Sequence, residues 1–143
     1  MSARSANAEL VRDAIESFNR EGPETLTRFF HREAVSYPFP EWPDQRVYRG
    51  NEGTAELAAQ WTELFEQYRW DIRHLLDAND SVVVLAIHSG RARGSGVETS
   101  SPVSAVFTEF RAGLVARVHY FLTWREALAL AGLPEDAIGE DDG

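Results

Sequence analysis

A chain of 143 residues with a net charge of −9 and a pI near 4.9 is long enough for one buried core and leaves no room for a second domain. The acidic balance argues against nucleic acid and anionic membrane as partners, because both are recognised largely by Lys and Arg that neutralise phosphates. The absence of cysteine excludes disulfides and thiolate metal sites, no apolar run approaches the ~20 residues of a membrane span, and no secretory leader is evident, so a cytoplasmic location is expected.

Taken in chain order, Leu10, Val11, Ala14, Ile15 and Phe18 form one stripe, with Arg12, Asp13, Glu16 and Asn19 opposite. That spacing predicts an amphipathic helix over 7–20. Gly22-Pro23-Glu24 restarts a short helix that ends near Phe30, because proline at the first helical position sacrifices no bonded N–H. Residues 34–37 read as extended, and Pro38, Pro40 and Pro43 then force an irregular loop that runs to Arg49-Gly50. Leu57, Trp61, Leu64 and Phe65 place a third helix over 51–67. Beyond it, 70–76, 81–93, 98–110 and 114–122 read as four strands, with turns at Asn79-Asp80, Gly94-Ser95-Gly96 and Ala112-Gly113. Thr123-Trp124-Arg125-Glu126 fits a capping box for a closing helix over 124–131, which Gly132 and Pro134 stop. The end, Glu140-Asp141-Asp142-Gly143, reads as a solvated tail. There is no internal repeat.

Helices first and strands later predict an α+β fold with helices packed on one face of an antiparallel sheet. This order resembles the nuclear transport factor 2-like superfamily, particularly its SnoaL-like, polyketide cyclase-like branch. The residues that carry the resemblance are 11–20 with Phe18-Asn19, Trp42-Pro43 followed by Val47-Tyr48-Arg49-Gly50, the strand-turn run 82–96, and 113–121 with Arg125-Glu126-Ala127-Leu128 after it. The resemblance covers about 8–133 of a single domain spanning 1–143, with an acidic tail over 134–143. It implies a cone in which three N-terminal helices and a strongly curved antiparallel sheet enclose an apolar pocket, commonly in a homodimer.

Function does not follow from that scaffold, which hosts isomerases, cyclases, dehydratases, epoxide hydrolases and proteins without catalysis. Ketosteroid isomerase chemistry needs a carboxylate base, a tyrosine and a protonated aspartic acid. Those positions fall at Tyr37, Ala14 and near Val106, and none is the required residue. Epoxide hydrolysis of the Asp-Arg-Asp type lacks its aspartates, although Arg91, Arg93 and Arg117 are present. Among the histidines His31, His74, His88 and His119, His88 follows the strongest apolar run and is the candidate for moving protons, or else a strand-end residue facing solvent or a partner subunit. Tyr37, just before the proline loop, reads either as a hydrogen-bond donor at the pocket mouth or as a packing residue with a wet hydroxyl. Glu98 and Glu109 read as solvated strand residues, or as displaced bases if turned inward.

Phe18, Trp61, Phe65 and Tyr120 are the expected apolar lining, with Trp42 as a lid or as a plug for its loop, although aromatics at helical spacing report an ordinary filled core more often than a cavity. The resemblance adds Val106, Val118 and Leu122 to the lining and leaves His119 outside. Scattered histidines give no zinc-binding spacing, and no glycine loop cradles a phosphate, so neither metal nor cofactor is expected. Arg117, His119 and Phe121 on the outer sheet face suit a two-fold contact with a second copy. The preferred expectation is a binding protein for a small apolar or aromatic molecule, with Tyr37 as its polar handle. The alternative is a cofactor-independent acid–base enzyme of cyclase, isomerase or dehydratase type, with His88 and Tyr37 acting on a carbonyl compound.

Overall fold

In the computed structural model, which describes residues 5–138, the Ser5 side chain accepts a hydrogen bond from the Ala8 amide and so caps α1 (Ala6–Glu21). The expected tail at Glu140, Asp141, Asp142 and Gly143 lies outside the described residues. α1 buries Val11, Ala14, Ile15 and Phe18. Its partner is not a second α-helix but a tight 3₁₀ segment, Pro23–Arg28. Six residues supply too few bonds to repay the cost of nucleating an α-helix.

β1 (Phe30–Tyr37) leads into the proline loop and the two-residue β2 (Tyr48–Arg49), after which α2 spans Gly50–Leu64. α2 stops short of the expected boundary, because Phe65 is already extended at φ −136° and ψ 144°. From that residue the chain runs through β3 (Phe65–Ala78), β4 (Ser81–Ala92), β5 (Glu98–Arg111) and β6 (Leu114–Phe121). These four form the antiparallel meander that the turn residues predict, in a curved six-stranded sheet of order β2-β1-β6-β5-β4-β3. The β1–β6 pair, which joins distant parts of the chain, is parallel.

α1, the 3₁₀ segment and α2 cover the inner face of the sheet, where Val82, Val84, Ala86, Val103, Ala105, Phe107, Val118 and Tyr120 belong to one buried cluster. α3 (Trp124–Ala131) packs on the outer face against Val83, Leu85 and Val106. Thr123 caps α3 through the Glu126 amide, and its hydroxyl donates to the Glu126 carboxylate. Gly132, at φ 75°, ends the helix in the left-handed region that a side chain would strain. A short turn, Glu135–Ile138, brings Ile138 back onto the outer cluster, so the ordered fold extends past the expected start of the tail. Among the described residues no helix is long and apolar enough to cross a membrane.

One local irregularity positions everything that follows. Between Glu66 and Arg69, β3 shifts register against β4, and Gln67 takes φ 57°. A bulge inserts one residue and inverts the alternation of side chains. Phe65 therefore lies on the same face as Tyr68 and Trp70, although strict alternation would put Phe65 opposite them. Gly90 makes room on β4: a Cβ there would come within 2.8 Å of the Phe65 Cβ.

Candidate functional site

The interior expected to be hollow is largely closed. Trp61 of α2 stacks on Trp70 at 5.9 Å and meets Tyr120 edge-on at 5.0 Å. What remains beneath these rings, among Phe18, Leu26, Phe30 and Phe107, is a void of about 30 Å³. Such a space holds a water molecule or two and no larger ligand.

The accessible hollows near this core include a polar groove of about 540 Å³ along Asn19, Gln67, Arg69 and Glu98, and an apolar cleft of about 430 Å³ on the other side of Trp61. Phe39 and Trp42 from the proline loop form one wall of the cleft, Leu64, Phe65 and Tyr68 from the α2–β3 junction another, and His88, Ser101, Pro102 and Leu122 complete it. The loop is fixed in place: the Trp42 indole and the Tyr48 hydroxyl both donate to the Gln60 side-chain carbonyl, and Arg46 lies over the Tyr48 ring while pairing with Glu56. Asn19 of α1 makes two hydrogen bonds with the Trp70 backbone and ties the inner helix to the edge strand.

A directed chain of hydrogen bonds runs to the cleft. The Trp70 indole, which only donates, lies 3.0 Å from the Tyr68 oxygen. Tyr68 has no other acceptor among the described residues, so its proton goes to Nδ1 of His88 at 2.6 Å. The imidazole proton then sits on Nε2 and is donated to Ser101 Oγ at 3.0 Å. Burial pushes the Tyr68 phenol up and the His88 imidazole down, which keeps both neutral at neutral pH. His88 is therefore a neutral N–H donor at the wall of the cleft. Trp61, shared by the cleft and the inner void, has its buried indole N–H unpartnered among the described residues. An unmet buried donor costs about 1–3 kcal/mol unless something entering the site accepts it.

The expected site residues separate into groups. His88, Trp42, Trp61, Phe65 and Leu122 meet in the cleft. Phe18 and Tyr120 border the inner void, and Val118 is core beneath it. Val106 lies on the outer face under α3, because β5 turns Val103, Ala105 and Phe107 inward and its even-numbered neighbours outward. Tyr37 is also on the outer face. Its register partner on β6 is His119, on which it stacks at 4.5 Å, and its hydroxyl accepts a hydrogen bond from Arg117 at 2.8 Å. It is Ser36 that faces inward and bonds Thr54 of α2. Tyr37 thus cannot serve as the polar handle of this cleft. Glu109 pairs with Arg111 and Arg117 on the outer side, and Glu98 is exposed beside Arg91.

Tyr68, Phe39 and Ser101 were not among the expected site residues. Tyr68 falls between the expected third helix and the first late strand, and the aromatic spacing Phe65, Tyr68, Trp70 is the one signal that marks it.

Sequence and fold comparisons agree on the scaffold. The model of the SnoaL-like domain matches residues 11–118. A protein of ketosteroid isomerase-like fold from Catenulispora acidiphila, solved in complex with trimethylamine, superposes with a TM-score of 0.70 at 18% identity, over 92% of this chain and 98% of its own. A candidate SnoaL-like polyketide cyclase from a Jannaschia species superposes at 0.72 with 19% identity, over 94% and 99%. TerC, co-crystallised with polyporic acid, superposes at 0.70 with 18% identity, over 90% and 99%. At these identities the likeness is one of fold. No curated protein matches the chain in sequence.

Proposed function

Starting from a chain that belongs to the SnoaL-like domain family, we propose that the cleft binds a small apolar or aromatic molecule bearing an oxygen acceptor, with His88 and Ser101 as its polar handles. The observation that carries this reading is the chain from Trp70 through Tyr68 and the neutral His88 to Ser101, which ends on a hydroxyl proton free to be donated in a cleft walled by aromatic rings. Such a site gains most of its affinity from apolar burial, at about 25 cal/mol per Å², and its selectivity from a few placed donors. The complexes of neighbouring folds with trimethylamine and polyporic acid support small-molecule binding here.

The second reading is an acid–base enzyme acting on a carbonyl compound. In its favour, a neutral histidine N–H can stabilise an enolate oxygen. Proton abstraction needs a lone pair, however, and Nδ1 of His88 is occupied by Tyr68. Among the described residues the only carboxylate lining the cleft is Glu41, which is exposed. Binding is therefore preferred.

The partner on the outer side is a second copy of this chain, meeting the part of the sheet that carries Tyr37, Arg117, His119 and Phe121. A cytoplasmic setting belongs to the same proposal and rests on the absence of cysteine.

Native mass spectrometry of the purified protein, followed by titration of the neutral probe phenylnaphthylamine, tests the binding reading. A retained small molecule, or saturable probe binding weakened by Phe65→Ala, is expected. Binding that Phe65→Ala leaves unchanged would move the site elsewhere.

A further inference from the structure

The shape and charge of the cleft favour one kind of guest. Phe39 crosses Trp42 at 67° and His88 at 63°, and Tyr68 crosses His88 at 74°. A flat ring held by stacking needs two facing walls that are nearly parallel. The near-parallel pair bordering the cleft, Phe65 and Tyr68 at 21°, is stacked on itself. Rings set at steep angles to one another suit a rounded group better than a flat one, and an aromatic lining attracts positive charge through the negative face of its quadrupoles.

The charges point the same way. Glu41 is the one carboxylate among the lining residues, and it makes no ion pair among the described residues. His88 is neutral, so it does not repel a cation. The arginines of the neighbouring hairpin are engaged elsewhere: Arg91 lies beside Glu98, and Arg93 reaches Glu66 and the Thr62 carbonyl. Neither lines the cleft. The chain's net charge of −9 adds attraction at long range.

We propose that the cleft selects an organic cation with a compact tertiary or quaternary ammonium head, caged by Phe39 and Trp42 and balanced by Glu41. The proposal rests on the binding reading above and adds the sign of the ligand's charge. The Ser101 hydroxyl, held by His88 Nε2–H, then serves an oxygen on the substituent that extends from the head.

Choline and its uncharged carbon isostere dimethylbutanol separate charge from shape. Both are titrated into the intact protein, with binding followed by tryptophan fluorescence, since Trp42 and Trp61 line the cleft. Choline is expected to bind about tenfold more tightly than the isostere, as two cation–π contacts imply. Glu41→Gln should weaken choline several-fold and leave dimethylbutanol unchanged. Trp42→Leu should remove most of the preference, and unchanged thermal midpoints exclude unfolding as the cause. Equal affinities for the two probes overturn the cation proposal and leave the binding reading standing. So does binding of phenylnaphthylamine with no binding of either probe. Failure of all three removes the binding reading as well.

Discussion

The phenolic oxygen of Tyr68 lies 2.6 Å from Nδ1 of His88. With the Trp70 indole donating to the same oxygen, the tyrosine proton has one place to go, and the histidine is left as a donor through Nε2. A group that sequence alone marks as a candidate proton carrier is thereby left without a free lone pair on Nδ1, and the proposed binding role rests on that.

Tyr68→Phe removes the donor that fixes this tautomer and leaves the Trp70 N–H without its acceptor. Ring-nitrogen NMR shifts of His88 should move away from the Nε2–H form, and stability should fall by about 1–3 kcal/mol. Unchanged shifts in the variant would show that Tyr68 does not set the tautomer.

His88 and His119 both have their ionisation lowered in the fold, His88 by burial and His119 by burial and then by Arg117. Above the unfolded value of about 6.5 both states are neutral and stability is level. Below it the unfolded chain takes up protons that the fold refuses, so the thermal midpoint should fall from about pH 6.5 downward and level off once the folded groups titrate. Calorimetry across this range checks the sign, and His88→Gln should flatten the slope. A midpoint that rises on acidification in this window would contradict both assignments.

Tyr37→Phe should leave ligand affinity untouched, because Tyr37 and the cleft are on opposite faces of the sheet. The lost hydrogen bond from Arg117 should reduce stability by less than about 1 kcal/mol, as for other partly exposed polar pairs. A weaker ligand without a stability change would return Tyr37 to the site.

Gly90→Ala places a Cβ 2.8 Å from Phe65 Cβ and 3.2 Å from the Glu66 carbonyl. Neither neighbour is the far end of a flexible chain. Denaturant unfolding should show a loss of about 1–3 kcal/mol, typical of overpacking, accompanied by weaker probe binding as Phe65 is displaced. A neutral substitution would mean that the bulge at Gln67 yields freely.

The proposed dimer predicts sedimentation as twice the chain mass at micromolar concentration. Arg117→Glu, placing like charge beside Glu109 on the outer face, should shift the chain to monomer. A wild-type monomer would remove the second copy as partner.

Several elements were legible because their signals are local. α3 begins and ends where Thr123, Glu126 and Gly132 place it, since capping and a left-handed stop are decided within a few residues. The two-residue Ala112-Gly113 turn between β5 and β6 has both residues at positive φ, 51° and 77°. On β6 the alternation that turns Val118 and Tyr120 inward and Arg117 and His119 outward also matches the expectation.

The site was less legible, for two physical reasons. Alternation is a rule about a regular strand, and the extra residue at Gln67 inverts it between Phe65 and Tyr68. The face taken by Tyr37 depends on β1 lying parallel to β6. No turn between them in sequence records that pairing.

The sequence by itself determined the α+β class, the order of elements and the aromatic character of the interior, because composition, periodicity and caps act through neighbours in the chain. Only the tertiary structure decided that the interior is nearly filled, that an apolar cleft opens beyond Trp61, and that His88 rather than Tyr37 lines it. Those outcomes depend on strand register and on rings meeting from distant elements, and contacts of that range leave no period in the sequence to read.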